Sequence, residues 1–451
     1  MKRTLILLAA LLSACAATAP SPALPSLADR ADALMRPLVA QDRFQGAVVI
    51  LRGGRVEYAA GFGFADMERR IPFGPDTPMD GGSIAKPFTA AALLMLAHEG
   101  RVDLDAPVPS LLPTYPHRET RLRHLLAHSA GLPDYDWFDP PRSPAGTVRT
   151  NASHLSLLAR EAPRPAFAPG SGFQYDNLAF DIAAMAIEKV SGQAYADVVA
   201  QRFFRPLGLG AFIRPARFAD WPGERTRAYR RTPEGWKDHD AFDLEGFHGA
   251  ANIVLSARDL ARWMDGYRRV VGDEVARTAT SPARLDDGRA TGIARGGWYV
   301  SADGQRRYYT GHHNGFYSFG YADDARGTAV AWMSNDTPPS WLRNPLSRAL
   351  ITLAEGREPE RVGVSPAPAE GVSDPSGRYR IEGVGEVAVR IDGPRLFVQV
   401  AGVEYEAFTV ARGVRYVPGR DSTLRFALTP QGRVSMNWDS IFATPPPALR
   451  E

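Results

Sequence analysis

Strand-like and helical segments are not mixed evenly along this chain, and their order limits the available folds more than any single motif does. Gly46–Leu51, a turn at Arg52–Arg55 and then Val56–Ala59 read as strand, turn and strand. Strand signals return only at Gly297–Val300, Arg307–Thr310, Ser318–Tyr321 and Thr328–Met333. Between them lie helical segments: Phe88–His98, dense in Ala, Leu and Met with Gly100 as its stop, then Ala179–Val190 and Ala257–Tyr267. Leu27–Val39 and Leu346–Ala354 are helical outside both sets of strands. Strands at both ends of a helical middle predict one sheet assembled from the two ends of a single domain.

The rest of the chain divides by composition. Residues 357–376 carry Pro359, Pro366, Pro368 and Pro375 among Gly, Ser and Glu, the character of a linker. Beyond it, Val387/Val389/Ile391 alternate with polar residues, Asp392-Gly393-Pro394 turns the chain, and Leu396/Val398/Val400 continue. That pattern predicts a small antiparallel β domain over 377–445, with five or six strands. At the other end, Lys2 and Arg3 precede the apolar run Leu5–Leu12. This reads as a secretory signal over residues 1–14, far too short to span a bilayer as a mature helix. The sole cysteine, Cys15, follows Leu12-Ser13-Ala14, which resembles the bacterial lipobox. The expectation is lipidation at Cys15, a tether over 15–28, and a lipid-anchored protein of the bacterial cell envelope, facing the periplasm or exterior. A lone cysteine leaves disulfides no part in stability. The net charge is +3 and no run of Lys or Arg forms a patch, so nucleic acid is not an expected partner.

Three local patterns carry chemistry. Lys is rare here, at four residues (Lys2, Lys86, Lys189, Lys237), so one inside a motif is informative. Ser83-Ile-Ala-Lys86 opens the buried helix, and residues three apart share a helix face, so hydroxyl and amine can meet. A serine at a helix start also has amide N–H groups and the positive end of the helix dipole close by. A neutral Lys86 would take the Ser83 proton. Taken alone, Ser-x-x-Lys reads more readily as a helix cap with a solvent-facing lysine. Tyr175-Asp-Asn177 supplies a phenol able to relay protons and an amide able to hold substrate, or else an ordinary turn. Thr310-Gly-His312-His313-Asn314-Gly315 lies between two strand-like stretches and suits a binding edge. His124 and His128 stand four apart, but no third ligand accompanies them, and no metal site is expected.

In order, these elements resemble the serine β-lactamase superfamily, in particular its class C β-lactamase, DD-peptidase, D-aminopeptidase and esterase branch. The resemblance extends to Gly81–Ala90, Val102–Pro113, Arg123-His-Leu-Leu-Ala-His-Ser-Ala-Gly-Leu-Pro133, Pro169–Tyr175, Glu188–Gln193, Leu255–Ala261 and Ser334-Asn335. It spans about residues 30–355 and implies an α+β fold: an antiparallel sheet flanked by helices, with a helical subdomain, over 29–356. The C-terminal domain is similar to the small barrels or sandwiches appended to some members.

The resemblance implies Ser83 as nucleophile, Lys86 as its base and Tyr175 as proton relay to the leaving group. It implies Asn177 as a substrate contact. It places His313, with His312 nearly as suitable, where many members have the Lys of Lys-Thr-Gly, and Gly315 as that motif's glycine. The oxyanion hole would be the N–H groups of Ser83 and Phe316. Asp176 departs from the usual Ser or Ala and would add negative charge if it faced inward. The His for Lys exchange weakens the fixed positive charge. Both departures argue against an efficient β-lactamase. The expected activity is acyl-enzyme hydrolysis of D-residue peptides or small esters, with β-lactams behind them and no metal or organic cofactor. The rival reading is a non-hydrolytic envelope protein that binds penicillin or a peptidoglycan-like ligand. Loops 134–150 and 236–248 are the expected seats of substrate selectivity.

Overall fold

The computed structural model describes residues 25–138, 146–232, 234–240, 243–359, 362, 372, 374–411, 413–442 and 446–451. The signal segment, Cys15, most of the tether and much of the linker lie outside them. Helix α1 (Leu27–Ala40) starts at a capping box, with the Ser26 hydroxyl accepting the Asp29 N–H at 3.1 Å. Strands β1 (Gly46–Arg52) and β2 (Arg55–Phe62) follow as a hairpin. Late in the chain come β3 (Tyr299–Val300), β4 (Arg306–His313), β5 (Phe316–Asp323) and β6 (Thr328–Ser334).

These six strands form one antiparallel sheet in the order β3-β4-β5-β6-β1-β2. The join of the two ends is the β1–β6 pairing, with Val49 opposite Ala331. Every residue of β5 and β6 is buried, so both faces must be covered. Gly320 abuts Leu260 and Met264 of α4 (Ala257–Val271), and Gly320 pairs with Ala331. The next residue, Trp332, points the other way and donates its ring N–H to Ser347 of α5 (Ser340–Ala354) at 2.9 Å.

The helical middle packs against one flank of this sheet. Helix α2 (Ala85–His98) is buried nearly all round, and its Phe88 ring stacks on Trp263 with centroids 3.8 Å apart. Helix α3 (Leu178–Ser191) lies beside it, ended by Gly192 at φ 72°.

The C-terminal domain has eight strands rather than five or six: β7 (Gly377–Ile381), β8 (Gly385–Asp392), β9 (Arg395–Val400), β10 (Val403–Ala411), β11 (Val414–Val417), β12 (Ser422–Leu428), β13 (Val434–Asp439) and β14 (Ala448–Leu449). Each pairs antiparallel with the next, and a bridge between Tyr379 and Arg450 brings the last edge back to the first, so the sheet is nearly closed. The strands without a sequence signal, β7, β11 and β14, are five, four and two residues long, too short for alternation to show. The sheet also runs past residue 445. This domain is docked on the first: Phe173 meets Tyr405 edge-on at 5.1 Å, Tyr308 meets Phe442 at 5.0 Å, and Arg348 pairs with Asp439 at 2.7 Å.

Candidate active site

Ser83 sits in a single 3₁₀ turn, Gly82–Ile84, that leads directly into α2. Gly82 takes φ +56°, a conformation that L side chains rarely adopt. Lys86, one turn on, is wholly buried. Its Nζ donates to Ser83 Oγ at 2.9 Å, to Asn177 Oδ1 at 2.7 Å and to the Ala250 carbonyl at 3.1 Å. Three acceptors for one amine is what a buried lysine needs to avoid an unpaired polar group. The Tyr175 hydroxyl donates to Ser83 Oγ at 3.0 Å, and its ring lies 4.9 Å from Lys86 Nζ. Asn177 is fixed at its other end by donating to Asp134 Oδ1 at 2.9 Å. Ser83, Lys86, Tyr175 and Asn177, drawn from segments 91 residues apart, thus share one hydrogen-bonded cluster.

Asp176 does not face this cluster. It is buried, and its Oδ1 accepts the Ala179 N–H at 3.0 Å in the first turn of α3. Burial pushes its carboxyl well above the usual carboxylate range, which favours the uncharged acid. Its own N–H donates to Nδ1 of His128 at 2.9 Å, and that ring stacks on Tyr175 with centroids 4.5 Å apart. Burial, reinforced by the Lys86 charge, holds His128 well below the ordinary imidazole value. A neutral ring therefore backs the phenol. His124 meets a different partner, Asp286 at 3.1 Å, so the two histidines do not converge. Among the described residues no group of three or more His, Cys, Asp or Glu is arranged to hold a metal.

The third motif is displaced from where its histidines suggest. His313 pairs with Phe316 across a two-residue hairpin whose centre is Asn314 (φ 25°) and Gly315 (φ 80°). Asn-Gly is the residue pair such a turn demands, so Gly315 serves the turn. The His313 ring is directed at buried carboxylates, with Nδ1 3.0 Å from Asp80 and Nε2 3.6 Å from Glu245. Arg214 bridges the same two acids at 3.6 and 3.2 Å. Burial alone would depress the imidazole, yet Asp80 and Glu245 raise it to about 9. His313 is therefore a structural cation, and Asp80 also accepts the Gly82 N–H at 2.8 Å.

The part of β4 beside Ser83 is Tyr309-Thr310-Gly311-His312. A Cβ on Gly311 would lie 1.8 Å from the Gly81 carbonyl oxygen, and a Cβ on Gly82 would lie 2.9 Å from the His312 nitrogen. The bond from Ser301 N–H to the Arg306 carbonyl shows which backbone groups of β4 face β3. By alternation, those of residues 308, 310 and 312 face the same way. Strand β3 pairs only as far as Tyr308, so the His312 N–H opens onto an unpaired edge at the nucleophile's turn. The Tyr309 hydroxyl is 3.3 Å from that of Tyr175, and burial with the nearby Tyr175 holds its pKa well above the ordinary phenol value. The His312 ring turns away to Thr337 Oγ1 at 3.2 Å and lines a 600 Å³ cavity. Sequence reasoning passed over Tyr309, Gly311 and the His312 backbone, although Thr310-Gly311 keeps two letters of Lys-Thr-Gly with Tyr309 in place of the lysine.

Known proteins are similar to this chain over most of its length. Penicillin-binding protein 4* of Bacillus subtilis (strain 168) is 24% identical over 394 residues, covering 82% of this chain and 86% of that protein. Esterase EstB of Burkholderia gladioli is 30% identical over 378 residues, covering 72% of this chain and 94% of that protein. The octameric penicillin-binding protein homologue from Pyrococcus abyssi superposes with a TM-score of 0.62 at 21% identity, over 93% of this chain and 99% of that one. The Beta-lactamase family model matches residues 31–353, which span both halves of the β1–β6 sheet and every residue of the Ser83 cluster. With most of the chain inside that match, the protein belongs to the beta-lactamase family.

Proposed function

We propose that this serine hydrolase cleaves esters or amides through an acyl-enzyme on Ser83. The observation that carries the reading is a single one: Ser83 Oγ lies between the buried Lys86 Nζ at 2.9 Å and the Tyr175 hydroxyl at 3.0 Å. Oγ attacks the substrate carbonyl as its proton passes to Nζ of Lys86, which acts as base in its neutral form, with a lone pair directed at Oγ. The N–H groups of Ser83 and His312 receive the oxyanion, in place of the Phe316 N–H expected from sequence. Tyr175 then delivers a proton to the leaving atom as its bond to the acyl carbon breaks, the electron pair going with that atom. Water releases the acyl group by the reverse sequence.

D-residue peptides and small esters are the leading substrate classes. Tyr309 supplies a neutral phenol where a cationic lysine would hold a substrate carboxylate, which disfavours efficient β-lactam turnover. The test is a panel of p-nitrophenyl acetate, D-alanine p-nitroanilide and nitrocefin against wild type and Ser83→Ala. Turnover of the first two, lost in the variant, supports the reading. Folded wild-type protein that binds penicillin without turning over any of the three would replace it with the binding protein.

The reading extends to location. The Leu5–Leu12 run and the Leu12-Ser13-Ala14-Cys15 sequence support a lipid anchor at Cys15 and a place in the bacterial cell envelope, facing the periplasm or exterior. Among the described residues no helix is long and apolar enough to cross a membrane. Incorporation of labelled palmitate, lost in Cys15→Ser, would support the anchor; equal labelling of both would remove it.

A further inference from the structure

The two domains together line a cleft of 870 Å³, with Tyr175 among its lining residues. One wall belongs to the catalytic domain and includes Trp137 and Phe167. The other is the outer face of β8, β9 and β10. Along β9 the alternation is strict: Leu396, Val398 and Val400 enter the domain core, while Arg395, Phe397 and Gln399 face the cleft.

That face is built, not merely exposed. Phe397 lies between two guanidinium groups, Arg390 at 4.2 Å and Arg395 at 4.7 Å from its centroid. Each arginine is held by a carboxylate on β10, Arg390 by Glu404 at 3.0 Å and Arg395 by Glu406 at 2.6 Å. Both arginines thus pack against the ring while paired to β10. Phe408, next along the outer face of β10, is 51% exposed.

Charge in the cleft is nearly balanced, three arginines against four carboxylates. A polyanion or polycation has no advantage there. Aromatic faces set among donors and acceptors of both kinds suit a peptide with apolar side chains.

Direction follows from Tyr175. The leaving atom must lie beside the group that protonates it, and Tyr175 lines this cleft. The His312 ring lines a different cavity, which Tyr175 does not border. We propose that the cleft is the leaving-group site, that the C-terminal β domain forms one of its walls, and that it takes a peptide bearing an aromatic or large apolar side chain.

This rests on the Ser83–Tyr175 reading, so its test has two readouts. Titration calorimetry measures binding of Phe-Ala-Phe amide and of triglycine amide to wild type, Phe397→Ala and Phe408→Ala. Inhibition of p-nitrophenyl acetate hydrolysis by the same peptides reports whether the bound peptide occupies the active site. Wild type should prefer the aromatic peptide about tenfold, with competitive inhibition, and the preference should fall below about threefold in both variants. Equal binding of the two peptides, a preference unchanged in the variants, or inhibition that is not competitive would each overturn the proposal. Calorimetry decides the cleft even if the ester is not turned over, a result that would count against Ser83 alone.

Discussion

Gly311→Ala is the substitution that separates the two candidate binding edges. The new Cβ would stand 1.8 Å from the Gly81 carbonyl oxygen, whereas Cβ atoms essentially never come within 3.0 Å of another heavy atom. Strand β4 or the nucleophile's turn must therefore retreat by at least 1.2 Å, and both are backbone with no flexible end to yield. Ser318 Oγ already donates to that carbonyl at 3.1 Å, so the turn is tied to β5 as well. A displacement near 1 Å at a reacting centre costs roughly 100-fold, and loss of one oxyanion donor roughly 100- to 1,000-fold. We expect kcat/KM for p-nitrophenyl acetate to fall by about that range. The accompanying loss of stability should be about 1–3 kcal/mol, the usual cost of overpacking, and is read as a lower Tm. Gly315→Ala is the control. Its Cβ would meet Ala228 at 2.9 Å and its φ of +80° is strained for alanine, so it should lose stability while keeping kcat/KM within about fivefold. Folded Gly311→Ala with activity within threefold of wild type, or a larger activity loss in Gly315→Ala, would refute the placement of the oxyanion edge at His312.

Two further outcomes follow from buried charge. His313 is raised to about 9, so its contribution to stability is complete below its unfolded value near 6.5 and is lost as pH rises through 9. The gap corresponds to about 3 kcal/mol; denaturant midpoints should fall between pH 7 and pH 9.5 in wild type and fall less in His313→Gln, and equal slopes would contradict the ion-pair account. Burial favours the uncharged form of Asp176, so Asp176→Asn should retain kcat/KM within about twofold, while Asp176→Ala should lose about 1 kcal/mol of stability by removing the acceptor for Ala179 N–H. A large rate change in the Asn variant would mean that the carboxyl acts on the reaction.

The nucleophile segment was legible because its chemistry is local. Ser83 and Lys86 are joined by helix geometry alone, and Tyr175 and Asn177 flank the start of the next long helix. The third motif was not, because its position depends on where β3 stops pairing with β4, and no local pattern records that. The histidine pair drew the assignment by charge, whereas Gly311 matters by having no side chain. Asn314-Gly315 did carry its own signal as a hairpin turn. In the C-terminal domain, the long strands announced themselves by alternation, while β7, β11 and β14 owe their pairing to neighbours. Whether Asp176 faced inward was not legible for a related reason: burial governs its ionisation, and burial is a property of the fold.

The central claim is that Ser83 is an activated nucleophile, and peptide-resolved mass spectrometry after exposure to a fluorophosphonate tests it most directly. The account predicts one adduct, on the Ser83 peptide and absent in Ser83→Ala. No adduct on folded wild-type protein, or an adduct on another residue, would contradict it.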